Sequence, residues 1–166
     1  MLRAKLRQWA IFAVFACPTA ALAQMGMDMA PTPMNQQQGD PTVPFKNGME
    51  AFKAGDYPKA VRELLKARAA RPDDGTINYV LGLAYNGATK KKEAKQAFQR
   101  AVRDRQAPAD AYLQLGLVSL ELGDRATATT QAASLDKKLA ACGGGCADQA
   151  ELTAAKDKLA AALATH

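Results

Sequence analysis

The chain has 166 residues, 48% of them hydrophobic and only 6% aromatic, a length that suits one domain with a short tail. Its formal net charge is +6, but three basic residues lie at the extreme N-terminus. The rest is too weakly basic to indicate a nucleic-acid-binding protein. Abundant alanine favours helices that can approach one another closely.

The N-terminal segment has the pattern of a cleavable secretory signal peptide. A basic start is followed by a short apolar run over 9–16 and then by Ala-Leu-Ala, so cleavage is expected between Ala23 and Gln24. An uncleaved anchor is disfavoured because the run is shorter than the roughly 20 residues that a bilayer requires. A lipoprotein signal at Cys17 is a further alternative. With residues 1–23 removed, we expect an exported protein, periplasmic or secreted, without stable membrane insertion.

Residues 24–40 read QMGMDMAPTPMNQQQGD and show no helical period. Their richness in Pro, Met and Gln predicts a disordered leader ahead of the folded domain.

From residue 41 onward the sequence repeats with a period of 34 residues. Two columns of the alignment hold only small residues: Gly48, Gly82 and Gly116 in one, and Ala60, Ala94 and Ala128 in the other. Another column holds Leu64, Phe98 and Ala132. A glycine inside a helix costs roughly 1 kcal/mol relative to alanine, so its recurrence in register indicates places where two helices press together. We predict that the six small residues form the packing contacts of the repeats.

The second copy carries Leu81, Gly82, Tyr85, Ala94, Phe98 and Ala101 at its repeat positions. This pattern resembles the tetratricopeptide repeat (TPR) family, in which each repeat is a helix, a turn and an antiparallel helix. The resemblance implies an all-α fold, an α-solenoid of three stacked repeats at about 41–74, 75–108 and 109–141. Because a stack leaves an apolar face at its end, we expect a C-terminal capping helix to complete a domain over 41–166.

Seven helices are predicted, six of them in the repeats. They are expected at about 43–54, 57–70, 75–87, 90–104, 108–122, 124–140 and 147–164. Thr89 and Asp124 are predicted N-caps, and Asp56 precedes a proline near a first helical turn. Gly55 and Gly123 are expected to end the preceding helices with positive φ.

The last of these helices has an amphipathic pattern. Ala147, Leu152, Leu159 and Leu163 alternate with polar residues, which favours a cap on the third repeat over a helix lying on a membrane surface.

In the TPR family the first helices line a concave groove that takes a segment of another protein. The candidate groove residues face away from the Gly and Ala packing positions: Phe45, Met49, Phe52, Tyr79, Leu83, Asn86, Leu113, Leu117 and Leu120. An apolar groove implies an apolar or amphipathic peptide. Two alternatives stay open: a groove filled by the leader or the cap, and simple core packing. The basic residues between Lys90 and Arg105 are interpreted as a solvated face rather than an anion or lipid site.

Cys142 and Cys146 flank three glycines, which allow the loop to close into a structural disulfide. A redox-active pair is a weaker alternative because the spacing differs from the two-residue motif of thioredoxin-like proteins. A third hypothesis combines the two thiolates with the leader methionines, since Cu(I) prefers soft sulfur ligands. These methionines are Met25, Met27, Met29 and Met34.

No motif indicates an enzyme. The only histidine is the terminal His166, so no Ser-His-Asp set can form, and no phosphate-binding glycine loop follows a strand. We therefore expect no catalytic residue, cofactor or metal. The sequence favours a protein-interaction scaffold or adaptor of the cell envelope, with an unidentified protein or peptide as partner and no nucleic acid. A copper-binding or thiol-redox accessory protein is the alternative.

Overall fold

The computed structural model describes residues 40–166, which form seven α-helices and no strand. The helices are α1 Thr42–Lys53, α2 Tyr57–Ala70, α3 Gly75–Gly87, α4 Lys91–Ala101, α5 Ala109–Glu121, α6 Arg125–Cys142 and α7 Gln149–Thr165. The predicted all-α fold is confirmed for this part of the chain. The predicted signal peptide, and the predicted leader up to residue 39, lie outside the described residues.

The helices pack as consecutive pairs. Helix α1 packs on α2, α3 on α4 and α5 on α6, while α2–α3 and α4–α5 contacts join one pair to the next. Helix α7 packs on both α5 and α6. Among the helices of residues 40–166, none combines the length and apolar character that a membrane crossing requires.

Aspartates and glycines set the helix boundaries. Asp56, Asp74 and Asp124 each accept a hydrogen bond from the backbone N–H three residues later, at 2.9–3.0 Å. Each thereby satisfies one of the unpaired donors at a helix N-terminus. Gly55 and Gly123 follow α1 and α5 with φ of +76°, a conformation that glycine adopts without steric cost.

The corresponding turn of the second repeat departs from this pattern. Thr89 stands in register with Gly55 and Gly123 and has φ of +61°, an unfavourable conformation for a β-branched residue. The prediction of an N-cap at Thr89 is therefore wrong. Lys90 occupies that position and makes no side-chain cap hydrogen bond to α4.

Replacing Thr89 with glycine, or Lys90 with aspartate, is expected to raise the free energy of unfolding by about 1 kcal/mol each. The first change relieves a left-handed conformation, and the second supplies the cap that Asp56 and Asp124 provide in the other repeats. Urea denaturation followed by circular dichroism measures both. Lys92→Asp is the matched control, because it adds the same charge to the first turn without reaching the cap position. A loss of stability in Thr89→Gly contradicts this account.

Helix α4 was predicted to reach residue 104 but ends at Ala101. The Asp104 carboxylate accepts hydrogen bonds from the N–H groups of Gly75 at 3.0 Å and Gln106 at 2.9 Å. These bonds hold the chain in a turn that leads into α5, so the helix cannot continue.

The predicted small residues lie at helix contacts in the first two repeats. A Cβ atom on Gly48 would lie 2.7 Å from Leu64 Cγ, and one on Gly82 would overlap the ring of Phe98. Leu64 and Phe98 are both fully buried. The three alanines of the other column are also fully buried: Ala60, Ala94 and Ala128. In these repeats the first helix presses on the second helix of its own pair.

The third repeat is packed differently. A Cβ atom on Gly116 would lie 2.5 Å from Leu159 Cδ1 of α7, not against its own second helix α6. Ala132 occupies the register position of Leu64 and Phe98 but is too short to fill this space. Leu159 is fully buried and takes their place. Helix α7 therefore completes the third repeat, as well as covering its end.

The boundaries of the last two helices differ slightly from expectation. Helix α6 extends to Cys142, two residues past the predicted end. Helix α7 begins at Gln149, so Ala147 lies exposed ahead of it and takes no part in the apolar face of the cap.

Candidate protein-binding groove

The nine predicted groove residues divide into two groups. Seven are half-buried: Phe45, Met49, Phe52, Tyr79, Leu83, Asn86 and Leu117. The other two, Leu113 and Leu120, are only 4% and 6% exposed. They belong to a buried cluster that includes Leu152 and Leu159 of α7. The expected groove therefore does not extend to these two residues, because α7 packs against that part of α5.

The apolar side chains that stay accessible on the first helices are anchored in the core beneath them. Phe45, Met49 and Phe52 of α1 pack at the edge of the cluster built from α1, α2 and α3. Leu83 of α3 packs beside the fully buried Phe98. We call the accessible surface formed by Phe45, Met49, Phe52, Tyr79 and Leu83 the α1–α3 face.

Tyr79 joins the second repeat to the third. Its Oη donates a 2.6 Å hydrogen bond to Asp110 Oδ2, which also accepts from Gln114 Nε2 at 3.2 Å. Burial, followed by this hydrogen bond to Asp110, raises the pKa of Tyr79 well above its usual range. The phenol therefore remains a neutral donor, and its ring is held in place beside Phe98 with centroids 6.2 Å apart.

A small cleft of about 170 Å³ opens beside Phe45, between the starts of α1 and α3. Pro41 and Ile77 supply further apolar walls, while Arg71 and Asp74 form its polar rim. Its volume is below the roughly 300–1,000 Å³ of small-molecule sites. The cleft suits a single side chain of a peptide better than a cofactor.

Polar contacts at the other end of α3 tie three helices together. Lys91 Nζ of α4 donates to Asn86 Oδ1 at 2.7 Å and pairs with Glu121 Oε2 of α5 at 2.6 Å. Asn86, near the C-terminal end of α3, therefore has its side-chain oxygen already engaged.

A second ion pair joins α4 to the start of α6. Lys95 Nζ lies 2.5 Å from Asp124 Oδ2, and Asp124 also accepts from the Thr127 hydroxyl. The hydrogen bond from Lys95, followed by those from Thr127, lowers the pKa of the Asp124 carboxyl far below its usual range.

Asp124→Asn is expected to lower stability at neutral pH and to weaken its acid dependence. Since the folded-state pKa of Asp124 is depressed, its stabilisation is present above the unfolded value of about 3.9 and is lost as pH falls towards the folded value. Asparagine still caps the helix, so the change removes mainly the charge. Urea midpoints between pH 2 and 7 measure the effect, with Asp56→Asn as the matched cap variant. Equal acid slopes in the wild type and Asp124→Asn contradict the expectation.

Sequence reasoning did not find Asp110, Lys91 or Lys95 as partners. Their contacts run from one repeat to the next, with separations of 31, 30 and 29 residues for Tyr79–Asp110, Lys91–Glu121 and Lys95–Asp124. Because none of these separations equals the 34-residue period, the partners do not share a column of the repeat alignment, and the alignment does not reveal their contacts.

Cys142 and Cys146 are joined in a disulfide with Cα atoms 5.3 Å apart, within the usual range for such bridges. Gly143 and Gly144 form the closing turn with φ of +58° and +86°. The sulfur atoms lie within 4.8 Å of an Asp148 carboxylate oxygen, but a bridged pair offers no thiolate to a metal. The leader methionines of the copper hypothesis lie outside the described residues.

Comparison with known proteins places this architecture among solved TPR-type structures. No protein-family model and no curated protein matches the chain. The chain resembles MamA (41-end) from Desulfovibrio magneticus RS-1 at 26% identity, with a TM-score of 0.52 over 57% of this chain and 54% of that one. It therefore spans about half the length of that MamA chain.

Two further solved structures have similar folds. The Sgt2 TPR domain from Aspergillus fumigatus is 20% identical with a TM-score of 0.57, covering 82% of this chain and 83% of that one. The TPR2B domain of yeast Sti1, solved as a complex with pHsp70, is 18% identical with a TM-score of 0.57, covering 74% and 97%. At such identities the likeness establishes the arrangement of the helix pairs.

Proposed function

The chain has the tetratricopeptide-repeat fold, and we propose that it is a non-enzymatic scaffold or adaptor that binds a segment of another protein on its α1–α3 face. One observation carries the proposal: five apolar or aromatic side chains on two successive first helices stay half-buried, beside glycine and alanine positions that are buried. Phe45, Met49, Phe52 and Tyr79 border one buried cluster, and Tyr79 and Leu83 border the next. Accessible apolar side chains grouped in this way favour a protein partner.

The side chains of the α1–α3 face indicate what kind of partner segment would bind there. The cleft beside Phe45 suits one apolar side chain, and Met49 provides a flexible surface that adapts to a partner. Beyond Leu83, the side-chain N–H groups of Asn86 donate to no other group within residues 40–166 and can bind a backbone carbonyl. We therefore expect an extended or helical segment with apolar anchors, bound chiefly by burial of those anchors.

A domain of this fold already provides a precedent, since the yeast Sti1 domain was solved as a complex with pHsp70. The proposed site of action is outside the cytoplasm, periplasmic or secreted, after cleavage between Ala23 and Gln24. The signal-peptide pattern supports this location, and so does the Cys142–Cys146 disulfide, because such bridges persist in oxidising compartments.

Affinity capture from an extract of the host's cell envelope tests the proposal. The mature chain is compared with Met49→Lys/Leu83→Lys, and with Gln96→Lys/Thr130→Lys as a control that adds the same charge at exposed positions of α4 and α6. We expect a partner held by the wild type and the control but lost from the α1–α3 variant, with all three showing the same helical circular dichroism. If Met49→Lys/Leu83→Lys unfolds, the single variant Leu83→Ser is used in its place. A partner retained by the folded α1–α3 variant overturns the proposal.

A further inference from the structure

A second concave surface lies away from the α1–α3 face, between the C-terminal ends of α2 and α4. It is a cleft of about 780 Å³, and none of the predicted groove residues line it. Four arginines contribute to its wall: Arg68 from α2, Arg100 from α4, and Arg103 and Arg105 from the connection between α4 and α5. We call this surface the arginine cleft.

The positive charge of the arginine cleft is not neutralised by neighbouring carboxylates. Within residues 40–166, none of its four guanidinium groups forms an ion pair. The cleft contains two carboxylates, Asp73 and Asp104. Asp104 is already engaged by the N–H groups of Gly75 and Gln106, and the bonds from Gln106 and then Gly75 lower its pKa. An excess of unpaired guanidinium groups therefore faces the cleft.

Helix stabilisation does not account for all of these arginines. A basic residue in the last turn of a helix complements the helix dipole, which explains Arg68 in α2 and Arg100 in α4. Arg103 and Arg105 lie beyond the end of α4, outside the last turn to which that effect is largely confined.

The basic surface continues towards the third repeat. A second cleft of about 580 Å³ shares Arg103 and Arg105 with the first and adds Lys137 and Lys138 of α6. Lys138 Nζ donates to the Arg105 carbonyl at 3.2 Å and lies 5.1 Å from the centre of the Tyr112 ring. The basic side chains thus border an elongated path over the ends of three successive second helices.

We propose that the arginine cleft and its extension bind an acidic peptide segment, which is an interaction beyond the proposed role of the α1–α3 face. Planar guanidinium groups recognise carboxylates through paired hydrogen bonds. Guanidinium groups also pair with phosphate, but the basic side chains extend from Arg68 to Lys138 over two adjoining clefts. An elongated arrangement of this kind matches several carboxylates spaced along an extended chain better than one compact anion. A concave path also suits a peptide better than the plane of a membrane.

The test uses the mature protein and a rhodamine-labelled decapeptide that alternates Glu and Ser, with a Gln–Ser decapeptide as the uncharged probe. Fluorescence anisotropy measures affinity at low salt. The key variant is Arg100→Gln/Arg103→Gln, and Lys90→Gln/Lys92→Gln is the matched control, since it removes the same charge at the opposite end of α4. Arg105→Gln, in the connection after α4, serves as a second variant if the arginine pair disturbs folding.

We expect the acidic peptide to bind the wild type and the lysine control with equal affinity, and the arginine variant about tenfold or more weakly. The Gln–Ser peptide should not bind. The proposal is overturned by no binding of the acidic peptide, by equal weakening in both variants, or by displacement of the peptide by inorganic phosphate where sodium chloride of the same ionic strength does not displace it. Binding of the wild type to phosphatidylglycerol vesicles without binding of the peptide also overturns it, because the ligand would then be a lipid surface.

Discussion

Leu159→Ala is expected to lower the free energy of unfolding by about 2–5 kcal/mol, the range for truncation of a buried leucine. Leu159 is fully buried and fills the space against Gly116 that Leu64 and Phe98 fill in the other repeats. The third repeat cannot close this gap itself, because Ala132 stands at the corresponding position. Urea denaturation followed by circular dichroism at 222 nm measures the loss.

Two companion variants make the Leu159 test specific to the proposed packing. Leu163→Ala, on the same helix but only half-buried, is expected to lose clearly less stability. Adding Ala132→Leu to Leu159→Ala should recover part of the loss, because a leucine from α6 then reaches towards Gly116. Equal losses for the two leucine variants, or a further loss on adding Ala132→Leu, would show that α7 does not substitute for the missing residue of α6.

Gly82→Ala is expected to lower the free energy of unfolding by about 1–3 kcal/mol, although alanine is the better helix former by about 1 kcal/mol. The added methyl group would overlap the Phe98 ring, and Phe98 is fully buried and has no space to withdraw. The same denaturation experiment measures this change. A gain in stability would contradict the close helix contact at this position.

Gly87→Ala provides the comparison within the same helix. A Cβ atom there also meets an aromatic ring, that of Tyr57, but Tyr57 is only half-buried and can move outward. Its cost should therefore be smaller. In the double variant Gly82→Ala/Phe98→Leu the combined loss should be less than the sum of the single losses, as expected for two residues in direct contact.

The 34-residue period, together with the resemblance to the TPR family, was sufficient to predict the helix pairs, because each copy places small residues where its two helices meet. Gly48 and Gly82 show this directly, since each faces the large residue 16 positions later. The role of Leu159 was not predictable from the period. That role arises because Ala132 is too small to fill the space against Gly116. The repeat alignment shows that this space is unfilled by α6, but it does not show which other helix fills it. The positive φ at Thr89 was missed because threonine is a common N-cap residue, so Thr89 was predicted as the N-cap of α4, a position that Lys90 occupies.

The candidate site was predicted less completely than the fold. Helical spacing places Leu113 and Leu120 on the same face as Tyr79 and Leu83, but spacing alone does not show that α7 covers the third repeat and leaves the second accessible. The arginine cleft was not predicted either, because Arg100, Arg103 and Arg105 were interpreted as part of a solvated face rather than as an anion site. Its side chains come from α2, from α4 and from the connection after α4, and only the stacking of the repeats brings them together.

Site-specific photo-crosslinking tests whether a protein segment binds on the α1–α3 face. A photoreactive amino acid is placed at Phe52 or Leu83 of that face, or at the exposed control positions Gln96 and Thr130. The chain over residues 24–166, the proposed mature form, is then irradiated in extract of the host's cell envelope and analysed by mass spectrometry. We expect one partner peptide to be crosslinked from positions 52 and 83 and to be absent from positions 96 and 130. Crosslinks only from the control positions would contradict this expectation.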